Sequence, residues 1–231
     1  MNRARALPAA GASEPTAQRP LPRRGAAAAA APRLDAWLAH RAVKPALFAL
    51  ALVPLALLVI GAIAGTLGAN PAEALIRRSG DWALRLLCLT LALTPLRRLT
   101  GWQALARWRR MLGLFTFFYA VCHFLAYAWL DKGLDAAAIA RDIGKRPFIL
   151  VGATALALLL PLAATSFGRA IKALGAARWR ALHRAVYAIA PLALLHFYWM
   201  RAAKRDFDEV IAYAAVLALL LGWRAWRALE R

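Results

Sequence analysis

The sequence predicts an all-α, polytopic membrane protein with six transmembrane helices and both termini in the cytoplasm. Hydrophobic residues make up 62% of the 231 residues, a share well above that of soluble globular domains. Six apolar windows have about the length needed to cross a bilayer, and each is bounded by charged or turn-forming residues. Lys and Arg are concentrated in alternate connections, which fixes the orientation by the positive-inside rule.

The spans follow one another with short polar connections. The connections richest in Lys and Arg, with eight before the first span, five in 97–110 and four in 167–181, are predicted to be cytoplasmic. The second span is the shortest. Residues 45–227 are therefore predicted to form one transmembrane domain, and 228–231 a cytoplasmic tail. The six predicted spans are 45–66, 80–97, 111–130, 147–166, 182–200 and 208–226.

Residues 1–44 are rich in Ala, Pro and Arg and have no apolar periodicity. This composition predicts a disordered, basic cytoplasmic extension. The first apolar stretch is a full span containing Pro54 and Gly61, so we expect no cleaved signal peptide. The net charge of +20 would indicate nucleic-acid binding in a soluble protein. Here the basic residues lie at span ends and in loops, which predicts a lipid bilayer and no nucleic acid as partner.

Ionisable side chains inside a bilayer are costly and usually mark function. The predicted spans contain four candidates, Arg85, His123, His183 and His196, and no Asp or Glu in the middle of a span. The absence of a mid-span carboxylate disfavours ion-coupled transport. The sequence also contains no HExxH, GxSxG or P-loop motif, which disfavours the enzyme classes that use them.

His123 and His196 lie twelve and fourteen residues into spans that run in the same direction. At 1.5 Å per residue they are roughly 10 and 6 Å from the outer ends of their helices, so two imidazoles could share one ligand. Two axial histidines hold haem b in a form suited to electron transfer, and flanking aromatic residues could enclose a porphyrin. The alternative is that each ring only bonds a nearby carbonyl. The flanking aromatics are Phe115, Phe117, Phe118, Tyr119, Phe124, Tyr127, Phe197, Tyr198 and Trp199.

His183 and Arg85 have open roles. His183 is thirteen residues before His196 on the same predicted helix, about 20 Å lower and about 140° away around the axis. A kink at Pro191 could bring the two directions closer. His183 could ligate a second haem, contact a flavin, a quinone head group or a haem propionate, or be a plain interfacial residue. Arg85 could pair with a propionate or extend to the interface.

Three stretches carry a resemblance to a known family: GDWALRLLCLTLALTPLRRLTG (80–101), RWRRMLGLFTFFYAVCHFLAY (107–127) and RWRALHRAVYAIAPLALLHFYWM (178–200). Over about 45–227 the chain resembles the MsrQ (YedZ) family, the haem-binding membrane subunit of a bacterial periplasmic methionine sulfoxide reductase system within the ferric-reductase-like transmembrane group. The resemblance gives functional weight to His123, His183 and His196.

The resemblance implies a multi-pass protein of the bacterial inner membrane. Such a subunit takes electrons from membrane quinones, passes them through haem b and delivers them to a periplasmic molybdopterin-containing reductase, which repairs oxidised proteins. It also implies FMN as a cofactor, although the sequence shows no flavin motif. On this interpretation the chain itself is a non-catalytic electron-transfer subunit.

Two other functions are compatible with the residues. A stand-alone ferric or quinone reductase-like membrane cytochrome would need a nucleotide-binding domain, which we do not expect in this sequence. A cofactor-free transporter or assembly factor would use the histidines for packing or proton relay. The lack of mid-span carboxylates argues against the transporter.

Overall fold

The computed structural model of the protein describes residues 34–202 and 205–230, and the described part is helical with no β-strand. Besides a helical turn over 34–38 it contains eight helices joined by short connections. We number them α1 (Val43–Ile63), α2 (Pro71–Thr100), α3 (Leu105–Ala126, continued by a π-helical turn over Tyr127–Asp131), α4 (Ala136–Lys145), α5 (Pro147–Ala164), α6 (Gly168–His183), α7 (Val186–Ala202) and α8 (Asp208–Leu229).

Four of these helices are long and apolar enough to cross a membrane: Val43–Ile63, Leu105–Asp131, Pro147–Ala164 and Asp208–Leu229. The all-α, multi-pass membrane class predicted from the sequence is thereby confirmed. The other two predicted spans, 80–97 and 182–200, correspond to α2 and α7, which are not among the four. α2 is rich in charged residues, and α7 has only 17 residues, the lower limit for a crossing helix. Six spans with cytoplasmic termini remain a prediction.

Helix α2 is longer than the predicted second span because it starts well before the apolar window. The Asn70 side chain accepts a hydrogen bond from the Glu73 N–H at 3.1 Å, and Pro71 occupies the first helical position. Both are standard start signals. The helix ends at Gly101, whose φ of 79° is the left-handed conformation that glycine adopts without strain. Helix α2 therefore begins nine residues before the predicted span 80–97.

The predicted fifth span is broken, which corrects the placement of His183 and His196 on one helix. Arg184 and Ala185 form a turn between α6 and α7, with hydrogen bonds to carbonyls three residues back. The Nδ1 of His183 also bonds the Trp179 carbonyl of its own helix at 3.0 Å. His183 is thus the last residue of α6, so the predicted 140° angle about a common axis does not apply.

Among the described residues, the buried core consists of two clusters that lie on different sides of α2, and α2 contributes side chains to both. One cluster joins α2 to α5, α7 and α8 and includes Leu87, Leu159 and Ile189. The other joins α2 to α1 and α3 and is centred on Tyr119, which is fully buried. Helix α2 therefore contributes to both clusters and anchors the helices that carry the histidines.

The Tyr119 hydroxyl is inserted into the hydrogen-bond ladder of α1. It donates to the Ala51 carbonyl at 2.8 Å and accepts from the Leu55 N–H at 3.1 Å. Those two groups would bond each other in a regular helix, and Pro54 lies between them. The insertion ties α1 to the helix that carries His123, four residues further along.

Residues 34–44 are described, whereas 1–33 of the predicted disordered extension lie outside the described residues. The Asp35 carboxylate accepts from the Ala104 N–H at 2.8 Å, and Arg107 donates to the Ala39 carbonyl at 2.9 Å. This segment therefore packs against the start of α3.

Candidate functional site

Two histidines from different helices, His123 of α3 and His196 of α7, come together inside the bundle. Their ring centroids are 5.9 Å apart, and their planes cross at 75°. The rings are brought together from positions 73 residues apart in the chain. This proximity is the geometric condition for sharing one ligand, while ligation itself remains a prediction.

Each imidazole is held by the same kind of hydrogen bond to a neighbouring helix. His123 Nδ1 donates to the Ile76 carbonyl on α2 at 2.7 Å, and His196 Nδ1 donates to the Phe148 carbonyl on α5 at 2.7 Å. A carbonyl can only accept, so Nδ1 carries the proton in both rings. The lone pair is then on Nε2, the nitrogen through which such a histidine binds a metal.

A glycine lies four residues after each of these carbonyls, directly against the ring. A Cβ at Gly80 would be 3.0 Å from Nδ1 of His123, and a Cβ at Gly152 would be 2.8 Å from Nδ1 of His196. Neither Gly80 nor Gly152 is among the residues that the sequence predicts for the site. A glycine in the interior of a helix lowers helix stability, so its presence there indicates a packing or functional role.

Both histidines line a cavity of about 540 Å³ between α2, α3, α5 and α7, a volume within the range of small-molecule and cofactor sites. Its walls are mostly apolar and include aromatic side chains. Charged residues lie among the lining residues as well. The aromatic residues lining it are Phe124, Tyr127, Phe148 and Phe197, and the charged ones are Glu73, Arg77, Asp81, Asp131, Arg146 and Arg201.

Arg201 is the centre of the charged part of this cavity. Its guanidinium pairs with Asp206 at 2.6 Å, with Glu209, and with Asp81 at 3.9 Å. It also lies over the Phe197 ring, at 5.1 Å from the centroid. The network links the end of α7 to the start of α8 and to α2.

The described residues contain no group of three or more His, Cys, Asp or Glu side chains that could hold a metal ion. Protein sites for bare zinc or similar ions supply at least three such ligands.

His183 lies in a second cavity of about 310 Å³. Its ring stacks on Trp179 with centroids 3.9 Å apart. Its Nε2 is buried and makes no hydrogen bond of normal geometry within the described part of the chain. The Leu162 backbone lies near the ring. Four arginines also line this cavity, and none of the described carboxylates does: Arg97, Arg109, Arg110 and Arg224. An anionic or metal-containing ligand would match these groups.

The two cavities adjoin. Leu87 of α2, Thr116 of α3 and Leu159 of α5 line both of them. The Thr116 hydroxyl is occupied, because it donates to the Leu112 carbonyl at 3.0 Å. These shared side chains therefore lie between the His123 and His196 site and the His183 site.

The other predicted site residues are distributed unevenly. Of the nine aromatics flanking the histidines, Phe124, Tyr127 and Phe197 line the larger cavity, and Phe117 lines the smaller one. Arg85 lines neither cavity within the described residues. It donates to the Tyr213 hydroxyl at 3.1 Å and lies over the Trp82 ring, 5.0 Å from its centroid.

Comparison with known proteins first defines the class. Residues 79–194 match the family described as the ferric reductase like transmembrane component. The matched region includes His123 and His183 and ends two residues before His196. No solved structure matches the chain.

The relatives narrow the class further. The chain is 62% identical over 190 residues to the protein-methionine-sulfoxide reductase heme-binding subunit MsrQ of Polaromonas naphthalenivorans, covering 82% of this chain and 87% of that protein. It is 54% identical to the subunit of the same name from Ralstonia nicotianae, covering 80% and 86%, and 55% identical to that of Bordetella pertussis, covering 80% and 90%. The chain belongs to the MsrQ family.

Proposed function

We propose that this chain is a membrane electron-transfer subunit that holds haem b between His123 and His196. The observation that carries the proposal is the approach of two imidazoles to 5.9 Å inside one cavity, each with Nδ1 fixed on a carbonyl. The relatives are named as heme-binding subunits of a protein-methionine-sulfoxide reductase, which supports the same assignment.

The residues fit a haem iron. Two metal–nitrogen bonds of about 2 Å, with roughly 1 Å more from each nitrogen to its ring centre, require centroids about 6 Å apart, close to the 5.9 Å found. Two side-chain ligands are sufficient only when a macrocycle supplies the remaining four. A porphyrin does so, and the apolar and aromatic walls of the cavity suit its faces.

The chain's own residues prepare the site for electron transfer. The carbonyls of Ile76 and Phe148 hold each ring in one tautomer and raise the basicity of Nε2. Arg77 and Arg146 line the cavity and, beside their pairs with Glu73 and Asp142, could receive carboxylates such as the propionates of haem. A haem held by His123 and His196 would supply one-electron transfer at this site.

His183 is proposed as the ligand or contact residue of a second electron carrier in the smaller cavity. Its buried Nε2 has no hydrogen-bond partner among the described residues, and arginines surround the space. A second haem, FMN or a quinone head group would each meet these groups. Because Leu87, Thr116 and Leu159 line both cavities, a carrier there would be close enough for transfer to the first site.

The membrane arrangement and partners are part of the proposal. We place the protein in the bacterial inner membrane with six spans and both termini in the cytoplasm, so that the His123 and His196 site lies towards the periplasm. Electrons come from membrane quinones and leave to a periplasmic molybdopterin-containing reductase, which reduces methionine sulfoxide. The positive-inside distribution of Lys and Arg supports this orientation.

The test is haem quantitation combined with a reduced-minus-oxidised absorption spectrum of the purified full chain, expressed with ample haem. We expect a low-spin haem b spectrum that His123→Ala or His196→Ala abolishes. His183→Ala should give a different, smaller change. A wild-type protein without a Soret band would refute the proposal, and identical complete loss in all three variants would refute separate sites.

A further inference from the structure

The two histidines are docked by the same local arrangement on two different helices. In each case the ring donates to the carbonyl of one residue, and a glycine follows four positions later: Ile76 and Gly80 on α2, Phe148 and Gly152 on α5. Both hydrogen bonds are 2.7 Å long. The repetition indicates that the glycines are part of the docking arrangement.

The reason lies in helix geometry. A helical side chain points back towards the N-terminus and covers the turn before its own Cα. The side chain at position i+4 therefore lies over the carbonyl of residue i, which already accepts the N–H of residue i+4 within the helix. A glycine at i+4 leaves the space over that carbonyl free, so that a group as wide as an imidazole ring can approach it from a neighbouring helix.

The space over each glycine is too small for a methyl group unless the imidazole ring moves. A Cβ would lie 2.8 Å from Nδ1 and 2.9 Å from Cε1 of His196 at position 152, and 3.0 and 3.2 Å from the same atoms of His123 at position 80. Carbon atoms in proteins pack at about 3.5–4.0 Å. The imidazole would have to move away by several tenths of an ångström or more, and its hydrogen bond would lengthen or break.

We propose that Gly80 and Gly152 are positioning residues that orient the imidazoles of His123 and His196 for axial ligation. Each glycine gives its histidine access to one backbone carbonyl, which fixes the tautomer and the direction of Nε2. This inference rests on the proposed haem site and deepens it. Metal ligands lose affinity about 10–100-fold when such supporting contacts are removed.

The test compares Gly80→Ala and Gly152→Ala with Gly222→Ala in the full-length protein, by haem titration and electron paramagnetic resonance. Gly222 is a matched control because it lies inside helix α8 and an added Cβ would meet no atom within 4 Å. We expect haem affinity at least about tenfold weaker in both site variants, with loss of the low-spin signal. Gly222→Ala should stay within about twofold of wild type.

A second measurement covers the case in which a site variant fails to fold. If the methyl group clashes with the ring itself, deleting the ring removes the clash. The haem-free His196→Ala/Gly152→Ala protein should then be as resistant to thermal unfolding as haem-free His196→Ala, whereas Gly152→Ala alone is less resistant than wild type. A double variant that is destabilised as much as the single one would overturn the assignment.

The outcomes separate this inference from the proposed function. Wild-type protein without haem contradicts the proposed function. The positioning role alone is contradicted if the wild-type protein binds haem and either Gly80→Ala or Gly152→Ala keeps the wild-type haem affinity and an unchanged low-spin signal.

Discussion

Replacing Arg201 by Met should destabilise the protein far more than replacing a typical surface arginine. The Arg201 side chain is 16% exposed and binds two carboxylates, Asp206 and Glu209, which are about 45% exposed. It is also the one cation within 4 Å of Asp81 among the described residues, and Asp81 is only 17% exposed. Methionine keeps much of the packing against Phe197 but removes all three ionic contacts.

The size of the effect follows from exposure. The two half-exposed pairs contribute together roughly 0.5–2 kcal/mol, and leaving a largely buried carboxylate without its partner costs about 1–3 kcal/mol. Together these are a loss of about 1.5–5 kcal/mol. For a chain of this size that corresponds to a fall in Tm of about 3–20 °C.

The assay is thermal unfolding of the detergent-solubilised protein. The control is Arg227→Met. Arg227 forms an ion pair with Glu230 in which both side chains are more than 40% exposed, and it lies over the Trp223 and Trp226 rings, which methionine can still contact. Loss of this exposed pair should cost under about 1 kcal/mol. Adding Asp81→Asn to Arg201→Met should recover part of the loss. Equal Tm values for Arg201→Met and Arg227→Met would refute the reasoning.

Two further predictions concern the supports of the site. Tyr119→Phe removes the hydroxyl that bridges Ala51 and Leu55 and should lower the unfolding free energy by about 1–2 kcal/mol; unchanged stability would contradict a structural role for the inserted hydroxyl. The Lys132 Nζ lies 2.7 Å from an oxygen of Asp142, and this contact lowers the pKa of the Asp142 carboxyl. The contact therefore stabilises the 127–146 segment above about pH 4. That stabilisation is lost as the pH falls through the lowered pKa. Limited proteolysis of that segment should therefore rise steeply below pH 4 in wild type, and Asp142→Asn should be cleaved readily at pH 6 as well; a variant as resistant as wild type at pH 6 would argue against the contact.

The pairing of His123 with His196 was accessible from the sequence because depth in a helix follows from residue count. Twelve and fourteen residues into parallel spans place two rings at similar heights, and the structure brings them to 5.9 Å. The glycines opposite them were not accessible in the same way. Gly80 and Gly152 contact rings 43 and 44 residues away, and an isolated helical glycine does not reveal its neighbour.

The break between α6 and α7 was missed for a different reason. Neither a Gly nor a Pro stands at Arg184 and Ala185, so the sequence gives no sign that the predicted span 182–200 is interrupted after His183. The turn is stabilised by hydrogen bonds to carbonyls three residues back, which no composition rule signals. The start of α2 is readable in principle, since Asn70 and Pro71 are start signals, but its charged first turns lie outside the apolar window 80–97.

The most direct test of the account is electron paramagnetic resonance of the oxidised, haem-loaded protein. Coordination of one iron by His123 and His196 predicts a low-spin signal of large anisotropy, because the imidazole planes cross at 75°. His123→Ala and His196→Ala should each eliminate that signal. A wild-type spectrum with only high-spin iron, or a low-spin signal that survives either substitution, would contradict the claim that these two histidines hold the haem.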